Sequence, residues 1–272
     1  MNGFVLTACQ RKGGVGRSTL LFNLAGALAK RGLRTLLVDL DPQASITQIC
    51  LGPEIVDTLP LHRSVVALVD DAIFGTVAGI TQPSGIPGVD LVPGSNALSR
   101  FNHPEPEKTG LLQDSLRDAL AEVRGSYDAI LCDTPPSLET LSWLPAVAAD
   151  FALTPTPAEA LAVQELVHTG RFLERVRWSR NPRLVWLGVV LTMYQPRLAI
   201  HEAFARSLRE TYGNLVLENA VPYNVAFKEC VVVRKPLASW KPKTAAAKSV
   251  DAVAGEILER VAKLRAATEV AA

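Results

Sequence analysis

Cysteine is scarce in this chain, and the four present, at 9, 50, 132 and 230, lie far apart with no C-x-x-C pair. That spacing argues against a disulfide framework and a cysteine-rich zinc site, and Cys9 and Cys132 fall inside apolar runs that suit reduced core residues. No apolar run approaches the roughly 20 residues a membrane-spanning helix needs. No charged-then-apolar leader precedes the first strand-like run, so a cytosolic protein is expected. Charge of either sign in excess is also missing: 28 Lys and Arg stand against 27 Asp and Glu, a net charge of +1, so any attraction to nucleic acid or an anionic membrane must be local. Repeats and low-complexity tracts are absent, and the Pro- and Gly-rich stretches 53–60 and 82–88 are short enough to be loops. The 272 residues suit one domain over 1–272, with a frayed alanine-rich tail over 266–272.

What the chain does have is a glycine-rich loop, Gln10-Arg11-Lys12-Gly13-Gly14-Val15-Gly16-Arg17-Ser18-Thr19, between a strand-like and a helix-like run. Glycines at 13, 14 and 16 let the backbone approach an anion and take up positive φ, and a helix starting near Arg17 aims free N–H groups at it. The pattern is a variant of G-x-x-x-x-G-K-[ST]: Arg11 stands at the first glycine, Lys12 precedes the glycine pair, and Arg17 replaces the final lysine. Ser18 would put its hydroxyl on Mg2+.

Near-continuous apolar runs at 4–9, 35–38, 89–92, 129–132, 151–154 and 184–191 read as strands buried on both faces. Helical spacing over 18–29, 111–123, 158–176, 199–212 and 251–264 alternates with them. The alternation predicts an α/β fold with a mostly parallel twisted sheet and helices on both faces. In such a sheet, acids at strand ends open on one crevice with the glycine loop. Asp39 and Asp41 follow the second strand and Asp133 a later one; Asp133 and Asp39 are candidate metal residues, and Asp41 a candidate for orienting an attacking water. A lone strand-end aspartate is most often a cap, but three beside a glycine loop read as chemistry.

Lys12-Gly13-Gly14-Val15-Gly16, Asp39-Leu40-Asp41-Pro42-Gln43 and Asp133-Thr134-Pro135-Pro136 resemble the deviant Walker ATPases of the ParA/Soj partition family, relatives of MinD. Leu91-Val92-Pro93-Gly94-Ser95-Asn96, Leu191-Thr192-Met193-Tyr194 and Asn219-Ala220-Val221-Pro222-Tyr223-Asn224 extend the resemblance over nearly the whole chain. It implies a three-layer P-loop NTPase fold, with ATP and Mg2+ as cofactors. It also implies that Lys12 reaches the phosphates of a second copy in an ATP-sandwich homodimer. Residues 13–19 would hold the phosphates, and Met193, Pro222 and Asn224 the base. The resemblance gives Asp41 the hydrolytic water and residues 134–136 the γ-phosphate switch. Two departures stand out. Arg17 is longer and forked where the family has a compact lysine, so slow hydrolysis is expected. Gln195 stands where an acid is expected, which bears on base contacts.

Six basic residues, Lys228, Arg234, Lys235, Lys241, Lys243 and Lys248, stand near the single acid Glu229, and Arg171, Arg175, Arg177, Arg180 and Arg183 surround Glu174. Such runs are commonly solvated faces. The resemblance makes Arg171, Arg175, Lys228, Arg234, Lys235, Lys241 and Lys243 candidates for non-specific binding of double-stranded DNA, and implies a cytoplasmic, nucleoid-associated ATPase. Its hydrolysis would be stimulated by a ParB-like or other adaptor protein, and its cargo would be a plasmid, a chromosome origin or another body. With the loop at residue 11, no N-terminal DNA-binding domain and hence no operator recognition are expected. One alternative is an ATP-gated assembly protein that scarcely hydrolyses, owing to Arg17. The other is a MinD-like accessory ATPase of a membrane-associated machine. That one would need a basic amphipathic helix with bulky residues, whereas 251–264 has small aliphatics and reads as core packing, so no stable membrane association is expected.

Overall fold

The apolar runs become β1 (Phe4–Ala8), β2 (Thr35–Asp39), β3 (Gln82–Pro83), β4 (Val89–Val92), β5 (Ala129–Asp133), β6 (Phe151–Pro157) and β7 (Val185–Thr192) in a computed structural model that describes residues 3–159 and 162–271. They form one sheet in the order β3-β4-β2-β5-β1-β6-β7, parallel except for the two-residue β3. β1 lies between β5 and β6, so its carboxyl end, which leads into the glycine loop, opens at the middle of the sheet. The β2–β5 register sets Asp39 beside Asp133.

Successive strand residues face opposite ways, and each face has its own core. Leu6, Leu37 and Leu131 enter one cluster, while Val5, Leu36, Val38 and Ile130 enter the other. The helices are α1 (Arg17–Lys30), α2 (Ser45–Leu51), α3 (Pro53–Thr58), α4 (Val77–Ile80), α5 (Leu112–Ala121), α6 (Thr140–Ala148), α7 (Ala162–Ser179), α8 (Ala199–Tyr212), α9 (Ala226–Val232), α10 (Leu237–Trp240) and α11 (Ala245–Ala271). α1, α10 and α11 cover the first face; α5, α6 and the inner side of α7 cover the second. The apolar stripe of α11 packs into the core, with Val253, Ile257 and Val261 buried and Leu258 and Leu264 against them. Among the described residues no helix is long and apolar enough to cross a membrane.

Several local expectations need correction. The stretch 53–60 is not all loop: Pro53 occupies the first turn of α3, where its missing N–H costs nothing. α6 has no counterpart in the sequence reading because it is buried all round, and α2, α9 and α10 are too short to show a period. The last helix begins at Ala245, ahead of the expected start at 251, and runs to Ala271. The side chains of 268–271 and all of residue 272 lie outside the described residues, as do 160 and 161 within the helix expected at 158–176.

Candidate functional site

The glycine loop is shaped by its own residues. Gly14 at φ +73° and Gly16 at φ +80° adopt the left-handed backbone that glycine takes without strain, and Gly16 is the N-cap of α1. A Cβ at Gly14 would meet nothing within 4 Å, so bare backbone faces open space there. The loop walls a cavity of about 640 Å3 together with Asp41, Gln43, Ser45, Gln48, Pro136 and Arg234. A second chamber of about 330 Å3 shares Val15, Gly16, Thr19 and Val231 with the first. Met193, Pro222 and Asn224 line this second chamber, so the residues expected around a base lie next to those expected around phosphates. Gln195 is not among the lining residues; its amide donates to His201 Nδ1 at 3.2 Å.

Beneath the loop sits a buried charge cluster. Arg17 is 6% exposed; its Nη1 donates to the Gln10 carbonyl at 2.8 Å, and its Nε lies 3.3 Å from Asp133 Oδ1. Asp133 is fully buried, and burial pushes its carboxyl above the usual carboxylate range against the pull of the Arg17 charge and the Ser18 hydroxyl. Among the described residues neither Arg17 Nε nor Asp133 Oδ2 has a hydrogen-bond partner, Arg17 Nε having only its ion-pair contact with Asp133 Oδ1. Orphaned polar atoms, the bare glycine cradle and the free N-terminus of α1 fit an anionic phosphate chain with a divalent cation, and Ser18 is the hydroxyl at hand. Such a cation commonly completes its shell with phosphate and water oxygens. Accordingly, among the described residues no group of three His, Cys, Asp or Glu side chains forms a metal site by itself.

The three strand-end acids separate. Asp41 lines the cleft, with its Oδ1 accepting from the Gln43 amide at 2.9 Å. Asp39, expected to face a metal, is turned inward. It is fully buried, and its Oδ2 accepts from the Thr47 amide at 2.9 Å and the Thr47 hydroxyl at 2.7 Å. Thr47 Oγ1 in turn accepts from the Gly94 amide at 2.7 Å, so Asp39 ties α2 and the loop after β4 to the sheet. Burial, and then the neighbouring Asp133 charge, raise its carboxyl well above the ordinary range. In the segment expected to act as a switch, the Thr134 hydroxyl donates to the Ala8 carbonyl at 2.6 Å and Pro136 packs near Gly13.

Outside the cleft, Lys12 pairs with Glu159, while Arg11 makes a forked contact with Glu165 at 3.1 and 2.8 Å. The basic residues expected to meet DNA divide into groups. Arg171, Lys235 and Lys243 are exposed. Arg175 pairs with Glu107 and lies over the Trp143 ring, and Lys241 pairs with Glu229 at 2.8 Å. Lys228 and Arg234 are exposed too, and they border the second chamber and the first respectively. Ser45 and Gln48 line the cleft as well and escaped the sequence reading; their signal was the turn after Asp41-Pro42-Gln43, which leads straight into α2.

Comparison with known proteins agrees with this geometry. A family model described as an AAA domain matches residues 4–186. The chromosome partitioning protein ParA of Caulobacter vibrioides is 36% identical over 258 residues, covering 94% of each chain. The chromosome-partitioning ATPase Soj of Thermus thermophilus is 32% identical over 256 residues, covering 94% of this chain and 96% of its own. Among solved structures, cobyrinic acid a,c-diamide synthase from Mycobacterium smegmatis with bound ATP analog and magnesium superposes with a TM-score of 0.80 at 25% identity, covering 94% of each chain.

Proposed function

This chain belongs to the ParA/Soj family of P-loop ATPases, and on that footing we propose that it binds Mg·ATP in the two-chambered cleft and pairs with a second copy around the nucleotides. In that state it binds duplex DNA without sequence preference and segregates or positions a plasmid, a chromosome origin or another large cargo. An adaptor protein stimulates its slow hydrolysis. The observation that carries the reading is the continuity of the two chambers, with Val15, Gly16 and Thr19 shared between a glycine cradle and an apolar slot.

Each residue then has a task. The N–H groups of residues 13–19 receive the phosphate oxygens, and the Met193, Pro222 and Asn224 chamber receives the base. Ser18 and Asp133 are the residues that would hold magnesium, which when bound supplies positive charge to the phosphate oxygens. Asp41, the acid on the cleft wall, orients the attacking water. Lys12 leaves Glu159 and reaches the phosphates of the second copy.

Size-exclusion chromatography with light scattering, run in Mg·ATP and in Mg·ADP, tests the assembly. The expected result is a dimer in ATP only, and a Lys12→Ala variant that stays monomeric in both. A variant that dimerises normally would remove Lys12 from this role. The buried engagement of Arg17 also favours a second reading, in which ATP gates assembly and is scarcely hydrolysed. Single-turnover hydrolysis with and without DNA separates the two: a DNA-stimulated burst supports the ATPase, and stable bound ATP supports the scaffold.

A further inference from the structure

Helices α1 and α9 end in the same hydrogen-bonded turn, filled by different residues. After α1 the amide of Gly32 donates to the Ala29 carbonyl at 2.9 Å and that of Leu33 to the Leu28 carbonyl at 3.1 Å. After α9 the amide of Arg234 donates to the Val231 carbonyl at 3.2 Å and that of Lys235 to the Cys230 carbonyl at 3.1 Å. This motif places its penultimate residue in the left-handed region, and glycine is the residue that does so freely. Gly32 has φ +82°. Arg234 has φ +54°, with a side chain whose Cβ crowds the backbone in that conformation. Pro236 follows and would stop the helix in any case, so ending α9 does not call for an arginine.

The arginine adds a guanidinium at the cleft. Arg234 lines the phosphate-side chamber together with residues 13–19, approached from the opposite end of the chain. Its ion-pair contact, with Glu54 on α3, is at 4.0 Å, the outer limit of such a pair, and both side chains are largely exposed at 44% and 68%. The cation of the loop itself, Arg17, is meanwhile engaged below the cradle by Gln10 and Asp133. Strained backbone held at a ligand-sized cavity commonly marks a residue kept for what its side chain does there.

We propose that Arg234 is a nucleotide-contacting residue, a second cation for the phosphate chain that closes the chamber from the side facing the glycine loop. The assignment rests on the reading of the cleft as a Mg·ATP site.

Arg234→Gly and Arg234→Lys, compared with the unmodified chain, test this by thermal unfolding without nucleotide and by titration with a fluorescent ATP analogue and Mg2+. The glycine variant is expected to melt higher than the unmodified chain, because the turn is relaxed, and yet to bind the analogue about tenfold more weakly, because a charge-assisted hydrogen bond is gone. The lysine variant is expected to hold affinity within about threefold and to show no gain in melting temperature. A glycine variant that melts higher and binds as the unmodified chain does would reduce Arg234 to a helix stop and overturn the proposal. Failure of the unmodified chain to bind the analogue would overturn the cleft reading and this assignment with it.

Discussion

Arg17 is held at two points, Nη1 by a backbone carbonyl and Nε beside a buried carboxylate, and both depend on its forked shape. A lysine there would be a single point charge on a flexible stem, free to follow the phosphates as charge develops on them. Arg17→Lys is therefore expected to raise the single-turnover rate of ATP hydrolysis by about tenfold or more, since a well-placed charge at a phosphoryl centre is worth about 10²–10³ in rate. An unchanged or slower rate would count against this account of slow turnover. Single residues were legible in the sequence as far as their place in the cleft: residues 13–19, expected from glycine spacing, and Met193, Pro222 and Asn224, expected from the resemblance, line adjoining cavities. Direction was not legible. All three strand-end acids are buried, but Asp41, two residues beyond Asp39, lines the cleft while Asp39 and Asp133 do not, and no pattern in the sequence separates them. A run of basic residues likewise hides that, of four exposed cations, Lys228 and Arg234 border the cleft whereas Lys235 and Lys243 do not line it.

At the level of elements, α1 is the part on which the rest is seated. Its Asn23 accepts from the Leu237 amide at 2.9 Å and donates to the Thr19 carbonyl at 2.8 Å, joining the helix behind the glycine loop to the segment that carries Arg234. Gly26 makes the joint close: a Cβ there would lie 2.4 Å from Pro236 Cβ. Gly26→Ala would gain about 1 kcal/mol in an open helix, but here overpacking is expected to destabilise the protein by about 1–3 kcal/mol, read from the midpoint of urea unfolding. A higher midpoint would mean that the joint is looser than it stands here. The long elements were legible because their periods differ, two for strands and 3.6 for helices. α6 was not, because a helix apolar on every side has no period to find, and Pro145 within it reads as a break. α3 was lost for a related reason, its proline being a sign of a loop anywhere but in the first turn.

Over the whole molecule the charge is balanced, with 28 basic against 27 acidic residues, so the DNA-binding surface of the proposed function would have to be assembled from the cations that remain outward. Lys235 and Lys243 are exposed and have no ion pair among the described residues. Replacing both by alanine is expected to reduce the slope of log affinity for duplex DNA against log salt by about 2, because each phosphate deprived of its lysine keeps its counterion, and to leave ATP binding unchanged. A slope that does not move would place the DNA face elsewhere, with exposed Arg171 the next to test. Arg11 and Lys12 stay out of such a surface, being tied to Glu165 and Glu159 of their own chain. On the dimer reading, a second molecule then offers Lys12 an exchange of companions, carboxylate for phosphate, in place of a first acquaintance. An exchange of like for like leaves little net energy either way, so the choice falls to whichever side carries more negative charge. Loss of the terminal phosphate takes away part of the negative charge on the far side, and the balance moves toward Glu159 of the loop's own chain.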